Sequence, residues 1–255
     1  MSYRTASAGA RRHVSKGKAF SMKRNTQAVF FDAGYTLLCM DPDQPTIFLR
    51  VCGELGIELD HARFAEGVES ANKMLAPRHP GQVPVPFSQE AMDRFWTDYN
   101  RVLLSVCARG SGDADKAEIV YRRFTAAISW RIYDEVHGVL HKLRQNDVRL
   151  GIISNWSGDL EEVMHRVGLL ESFDFVLDSA RLGYEKPHAQ IFDEALRRAE
   201  VERSAALHIG DSPEHDVDGA LSSGLRALLL DRHGRHPTFS RAPRVATLEG
   251  VFEHL

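Results

Sequence analysis

Gln27-Ala28-Val29-Phe30-Phe31-Asp32-Ala33-Gly34-Tyr35-Thr36-Leu37 is the stretch on which the fold turns. Ala28 to Phe31 run without polar interruption and stop at an aspartate. So short an apolar run, with no apolar/polar alternation, fits a strand buried on both faces, as in a parallel sheet covered by helices. Downstream, similar runs recur at 148–153, 173–177, 205–209 and 226–230. Between them lie stretches of helical period at 134–145, 159–167, 188–200 and 214–222, the first carrying Val136, Val139, Leu140 and Leu143 on one face. Alternating buried strands and amphipathic helices predict an α/β fold, a Rossmann-like parallel sheet with helices on both faces.

More than 100 residues separate the first run from the second, and no strand-like run is expected among them. Helical patterns at 46–55, 61–75, 88–107 and 115–128 fill this interval, broken by the proline-rich 76–87. A crossover needs only one helix, so the excess predicts a helical cap at 45–131 inserted into a core made of 27–44 and 132–255. Ligands of open α/β sheets bind outside the carboxyl ends of the strands, which would place the cap over a site. Residues 1–26 carry seven Lys and Arg and no acidic residue, and are expected to form a disordered basic tail.

Composition narrows the classes of function. The 255 residues are 43% hydrophobic and 26% charged, which excludes wholesale disorder, collagen and a coiled coil. With 32 basic against 35 acidic side chains the net charge is -3, so no chain-wide basic field invites nucleic acid, and none is expected as a partner. Cys39, Cys52 and Cys107 follow neither a disulfide framework nor a zinc spacing. No window approaches the roughly 18 apolar residues of a membrane span, and no secretory-type apolar run opens the chain. A cytoplasmic location, away from membranes, is the expectation.

Residues able to do chemistry fall where the apolar runs stop. The first run ends at Asp32, the second at Ser154-Asn155 and the fourth at Gly210-Asp211-Ser212, with Asp216 close behind; Lys186, in Tyr184-Glu185-Lys186-Pro187, precedes the helix after the third. Each has an ordinary explanation alone. Asp with a nearby Gly makes turns, Ser-Asn caps helices, and Lys-Pro and Gly-Asp-Ser-Pro suit helix starts. Parallel neighbours bring their carboxyl ends together, however, and four such segments in this order converge on one crevice.

These segments resemble the four motifs of the haloacid dehalogenase-like (HAD) hydrolase superfamily, over a region from about residue 27 to the C-terminus. Asp32 matches the nucleophile, Ser154 the second-motif Ser or Thr, Lys186 the third-motif lysine, and Asp211 with Asp216 the acidic fourth motif. The interval after the first motif is similar to the helical cap of the subgroup that includes small-molecule phosphatases and haloacid dehalogenases. The resemblance implies an aspartyl-phosphate on Asp32 and Mg2+ held by Asp32, Asp211, Asp216 and the backbone carbonyl of Gly34. It further implies a small phosphorylated substrate bound by Ser154, Lys186 and the backbone amides of Ala33 and Asn155. Asp216 would orient Lys186 or a metal-bound water, and Lys186 would depress the Asp32 pKa.

One position departs from the pattern. Phosphatase members usually carry a second aspartate two residues past the nucleophile, which protonates the leaving alcohol and activates water; here it is Gly34. General acid-base help is worth about 10² to 10⁴ in rate. Tyr35, with an ordinary pKa near ~10, is a poor replacement, and a cap histidine such as His79 is the other candidate. The expected function is therefore a Mg2+-dependent phosphatase, slow or restricted to acyl phosphates and other good leaving groups. The alternatives are a dehalogenase-like hydrolase, a phosphonatase-like one using Lys73, or a noncatalytic phosphometabolite-binding protein. Trp156 is placed near the crevice mouth, and Arg232, His233 and His236 in an exposed loop.

Overall fold

The computed structural model describes residues 26–75 and 88–255. The basic segment 1–25 and the proline-rich 76–87, including His79, lie outside the described residues. Thr26, expected in the tail, is instead buried, with its hydroxyl accepting a hydrogen bond from Arg226.

Six parallel strands form the central sheet. In chain order they are β1 (Ala28–Phe31), β4 (Arg149–Ser154), β5 (Phe175–Asp178), β6 (Ala206–Gly210), β7 (Arg226–Leu230) and β8 (Arg244–Val245). Their order across the sheet is β5-β4-β1-β6-β7-β8. β1 is central, with Phe31 opposite Ile152 on one side and Ile209 on the other. The chain moves outward from β1 through β4 and β5, then returns to the far side of β1 at β6, so the connections reverse direction around β1. Sequence pattern did not reveal β8, because two residues are too few to carry a period.

The pleat sends alternate residues of β1 into two cores. Val29 and Phe31 join Ile152 and the apolar face of α5 (Val136–Arg144) and α6 (Leu160–Arg166). Ala28 and Phe30 join Ile153 and α8 (Ala189–Ala199) and α9 (Gly219–Ser222). The period at 214–222 suggested one continuous helix; the structure has a π-helical stretch, Pro213–Asp218, running into the short α9.

Between β1 and α5 lie α1 (Gln44–Glu54), α2 (Phe64–Asn72), α3 (Gln89–Cys107) and α4 (Ala117–Ala127). Ile47, Phe48, Val51, Tyr99, Leu103 and Leu104 belong to a third hydrophobic cluster, distinct from the two beside the sheet. The interval is not strand-free, as the sequence had suggested. Two three-residue strands, β2 (Leu38–Met40) and β3 (Trp130–Ile132), pair antiparallel where the chain leaves for these helices and returns. Three residues of either strand read as an extension of neighbouring apolar residues, and only their mutual hydrogen bonding defines them.

Gly151 of β4 lies opposite Phe175 of β5, and a β-carbon there would stand 2.3 Å from the Phe175 ring. The ring would have to leave its place against Phe30, whose centroid is 5.8 Å away. Overpacking of this kind costs about 1 to 3 kcal/mol. Gly151→Ala is therefore expected to lower the urea midpoint with an unchanged m-value, which equilibrium unfolding measures.

Candidate active site

β1, β4 and β6 end side by side, and their last or next residues meet. Asp32 follows β1, with its backbone N–H bonded to the Ile209 carbonyl at 2.9 Å, so pairing with β6 continues up to the aspartate. Ser154 closes β4 and donates from Oγ to Asp32 Oδ1 at 2.9 Å. Lys186 reaches in from the loop before α8 and donates from Nζ to Asp32 Oδ1 at 2.7 Å and to Asp216 Oδ1 at 2.6 Å. Lys186 is 2% exposed and Asp216 1%, so this ion cluster lies almost wholly out of water.

Backbone features hold the cluster in place. Asn155 clamps the Lys186 segment with both ends of its amide, accepting from Lys186 N–H at 2.7 Å and donating to Lys186 C=O at 2.9 Å. Its side chain thus fixes the lysine. Gly210 allows Asp216 to approach β6, since a β-carbon at 210 would stand 2.1 Å from the Asp216 carboxyl carbon. Ser212 caps the helical turn that carries Asp216, and the Ser212 N–H donates to Asp216 Oδ2 at 2.9 Å.

Sequence reasoning missed His208. It lies on β6, 1% exposed, and its Nε2 is 2.9 Å from Asp216 Oδ1. Burial lowers its pKa and favours the neutral ring. An ionised Asp216 only accepts hydrogen bonds, so the ring carries its proton on Nε2. The signal was a lone histidine inside an apolar run. Arg232 was also misread as exposed loop. Its side chain is 10% exposed, bonded to Glu135 at 2.5 Å, and it donates to the Thr36 carbonyl at 2.8 Å while its guanidinium carbon lies 3.7 Å from the Tyr133 ring centroid. It thereby braces the loop that follows Asp32.

Burial disfavours the charge on Lys186, but Asp216 and Asp32 outweigh it and raise the ammonium pKa. Burial likewise opposes ionisation of Asp216, and there Lys186 and His208 win, holding the carboxyl well below its usual range. The expected depression of Asp32 is not found. Burial pushes Asp32 up, the Asp216 charge adds to this, and Lys186 and Ser154 offset only part. The lysine is shared, and Asp216 takes the larger benefit.

Asp211 stands just beyond β6, and carboxylate oxygens of Asp32, Asp211 and Asp216 lie within 4.8 Å of one another. Burial and Asp32 push Asp211 up to about 8. Three carboxylates against one ammonium leave an excess of negative charge when all are ionised. An all-oxygen set of this kind suits a hard divalent cation such as Mg2+. Asp216 already spends both oxygens on Lys186, His208 and Ser212. Asp32 and Asp211 are the carboxylates better placed to hold an ion. Ala33 is fully buried directly after Asp32. Lys73 sits exposed in a 3-10 turn after α2.

The family model for haloacid dehalogenase-like hydrolases matches residues 68–230, more than half of the chain. The chain belongs to that family. Among relatives of this HAD-like hydrolase is haloacid dehalogenase-like hydrolase domain-containing protein 3. The Bos taurus protein is 38% identical over 114 residues, 45% of this chain and 45% of its own length, so less than half of it is spanned. The Homo sapiens protein is 32% identical over 180 residues, 69% and 70% of the two chains. Phosphoserine phosphatase of Thermus thermophilus is 31% identical over 244 residues, 88% of this chain and 97% of that one. The crystal structure of the HAD-hydrolase YfnB from Bacillus subtilis, bound to magnesium, shares the fold with a TM-score of 0.71 at 19% identity, over 91% and 99% of the two chains. Among the described residues no helix is long and apolar enough to cross a membrane.

The raised Asp211 pKa sets a pH dependence. An acid held above its ordinary value binds its proton more tightly folded than unfolded, so its contribution is fully present below about 4 and is lost as pH rises through about 8. Without divalent cations, thermal stability of this HAD-like hydrolase should fall between pH 6 and 8.5 by more than in an Asp211→Asn variant. Calorimetry on both proteins tests this, and parallel curves would refute it.

Proposed function

We propose that this HAD-like hydrolase is a Mg2+-dependent phosphatase for a small phosphorylated metabolite, with Asp32 as the nucleophile. The observation that carries the reading is the Asp32 carboxylate itself. One oxygen is fixed by Ser154 and Lys186, and Asp211 stands alongside. Oδ1 serves as the anchor, leaving Oδ2 to approach phosphorus. The similarity to a phosphoserine phosphatase over nearly the whole chain supports the same class of reaction.

The chain's residues divide the work. Asp32 forms the bond to phosphorus as the ester bond breaks, and the leaving oxygen departs with its electron pair. Water then displaces the carboxylate, its proton passing to the phosphate, which restores Asp32. Lys186 has a third N–H, beyond those given to Asp32 and Asp216, to place at a phosphorus-bound oxygen, Ser154 keeps Asp32 Oδ1 in place, and Asp216, His208 and Asn155 hold Lys186 in position. A magnesium ion, when bound, neutralises carboxylate and phosphate charge so that two anions can meet, and Asp32, Asp211 and the Gly34 carbonyl are the groups that would hold it. The four helices between β1 and α5 act as a cap over the crevice. A cytoplasmic location belongs to the same reading, supported by three free thiols at Cys39, Cys52 and Cys107.

Gly34 favours one second reading, a dehalogenase-like attack on carbon, because such a reaction needs no proton on its leaving halide. The buried acidic cluster weighs against it, having no task in that chemistry. The readings separate on metal dependence. Turnover of acetyl phosphate and p-nitrophenyl phosphate is expected to require Mg2+, to stop with chelator, and to be lost in Asp32→Asn; halide release without added metal would overturn the proposal.

The rate should also respond to position 34. A β-carbon there meets only Trp156 Cζ3, at an ordinary 3.5 Å, so an aspartate side chain has room to enter. Gly34→Asp is expected to raise kcat on alkyl phosphate esters by about 100-fold or more, the low end of acid-base help. Steady-state kinetics on glycerol phosphate measures this, and an unchanged kcat would show that protonation of the leaving group is not limiting.

A further inference from the structure

The space that Gly34 leaves open is bounded by one aromatic ring. Trp156 is half-buried and fixed on several sides. Its Nε1 donates to Asp159 at 2.9 Å, its backbone N–H donates to Ser179 Oγ at 3.0 Å, and its ring packs on Trp130 with centroids 5.0 Å apart at 46°. The pyrrole edge is thereby anchored, and the benzo edge, carrying Cζ3, is turned to Gly34.

In-line displacement puts the leaving oxygen on the side of phosphorus opposite the attacking Asp32 oxygen. A departing group needs open space; Lys186 and Asp216 are buried whereas Gly34 and Trp156 are half-exposed, which assigns the departing group to the side of Gly34 and Trp156. Two independent facts meet there. Position 34 has no group to protonate the leaving oxygen, and a rigidly held ring lies beside it. Tyr35 does not replace the acid, because its hydroxyl is turned to Gln44 Oε1, 3.5 Å away.

We propose that the site selects phosphate monoesters of acidic, planar alcohols, aryl phosphates above all, with the departing ring lying against Trp156. The inference rests on the phosphatase reading and specifies its substrate class. An Asp32 oxygen bonds to phosphorus, the bond between phosphorus and the aryl oxygen breaks, and the electron pair leaves on a phenolate. The phenolate needs no proton from the protein and takes one from solvent. Water then cleaves the aspartyl-phosphate to phosphate and free Asp32.

The test compares p-nitrophenyl phosphate with acetyl phosphate, whose leaving group also needs no proton but has no ring. In Trp156→Leu the ratio of kcat/KM for p-nitrophenyl phosphate to that for acetyl phosphate should fall about fivefold or more, mainly through KM, and Trp156→Phe should restore most of it, as ring contact requires. A ratio unchanged in Trp156→Leu would overturn the proposal while leaving the phosphatase reading intact. Binding supplies a readout that survives misfolding of the leucine variant. With Mg2+ present, phenylphosphonate should quench the tryptophan fluorescence of the wild-type protein, methylphosphonate should not, and Trp156→Phe should lose the quench. Equal responses to the two phosphonates would refute the aryl preference. Failure of the wild type to turn over either substrate would remove the phosphatase reading and this inference together.

Discussion

Everything in the crevice depends on one ammonium shared by two carboxylates. Lys186 sits between Asp32 and Asp216 with nearly no access to water. Such a group is stable only if opposite charge and hydrogen bonds replace its hydration, and removal of one partner leaves an uncompensated charge in a poorly polarisable interior. The surrounding structure follows from this demand. Asn155 grips the lysine backbone, Gly210 gives Asp216 room to come close, and His208 and Ser212 saturate the remaining positions of Asp216. Because Asp216 takes most of the lysine's charge, Asp32 is left only partly compensated and Asp211 hardly at all. The resulting deficit of positive charge is located at the strand ends, where the carboxylates of Asp32 and Asp211 meet.

Asp32, Ser154 and Asp211 were legible because each stands at the end of a buried parallel strand, Lys186 because it stands just before the next helix, and Asp216 because it lies in the helical turn that follows Asp211. An apolar run that stops at a polar residue states both the strand and its end. What the pattern could not convey is how charge is divided. Opposite charge beside Asp32 suggested a depressed pKa, but burial and competition from Asp216 are tertiary effects with no local trace. His208 was hidden for the complementary reason: its polar role is turned inward from a strand that looks apolar as a whole. Arg232 follows a strand, like the residues that were found, but its partners Glu135 and Thr36 lie about 100 and 200 residues away.

Secondary structure was missed where elements were short. β2, β3 and β8 have two or three residues each, and such strands exist through their partners, without a period of their own. The longer helices were found to within a few residues, since several turns of amphipathic pattern identify a face even when the caps are ambiguous.

The β2–β3 ribbon has a consequence of its own. It sets Leu38 opposite Ile132, so the chain enters and leaves the four-helix insert at neighbouring points. About ninety residues, 41–129, are thus spliced in at what amounts to one seam, and a segment joined that way can be exchanged, lengthened or lost without re-threading the sheet. Such an attachment lets the insert and the strand ends that carry Asp32 and Asp211 change on separate schedules.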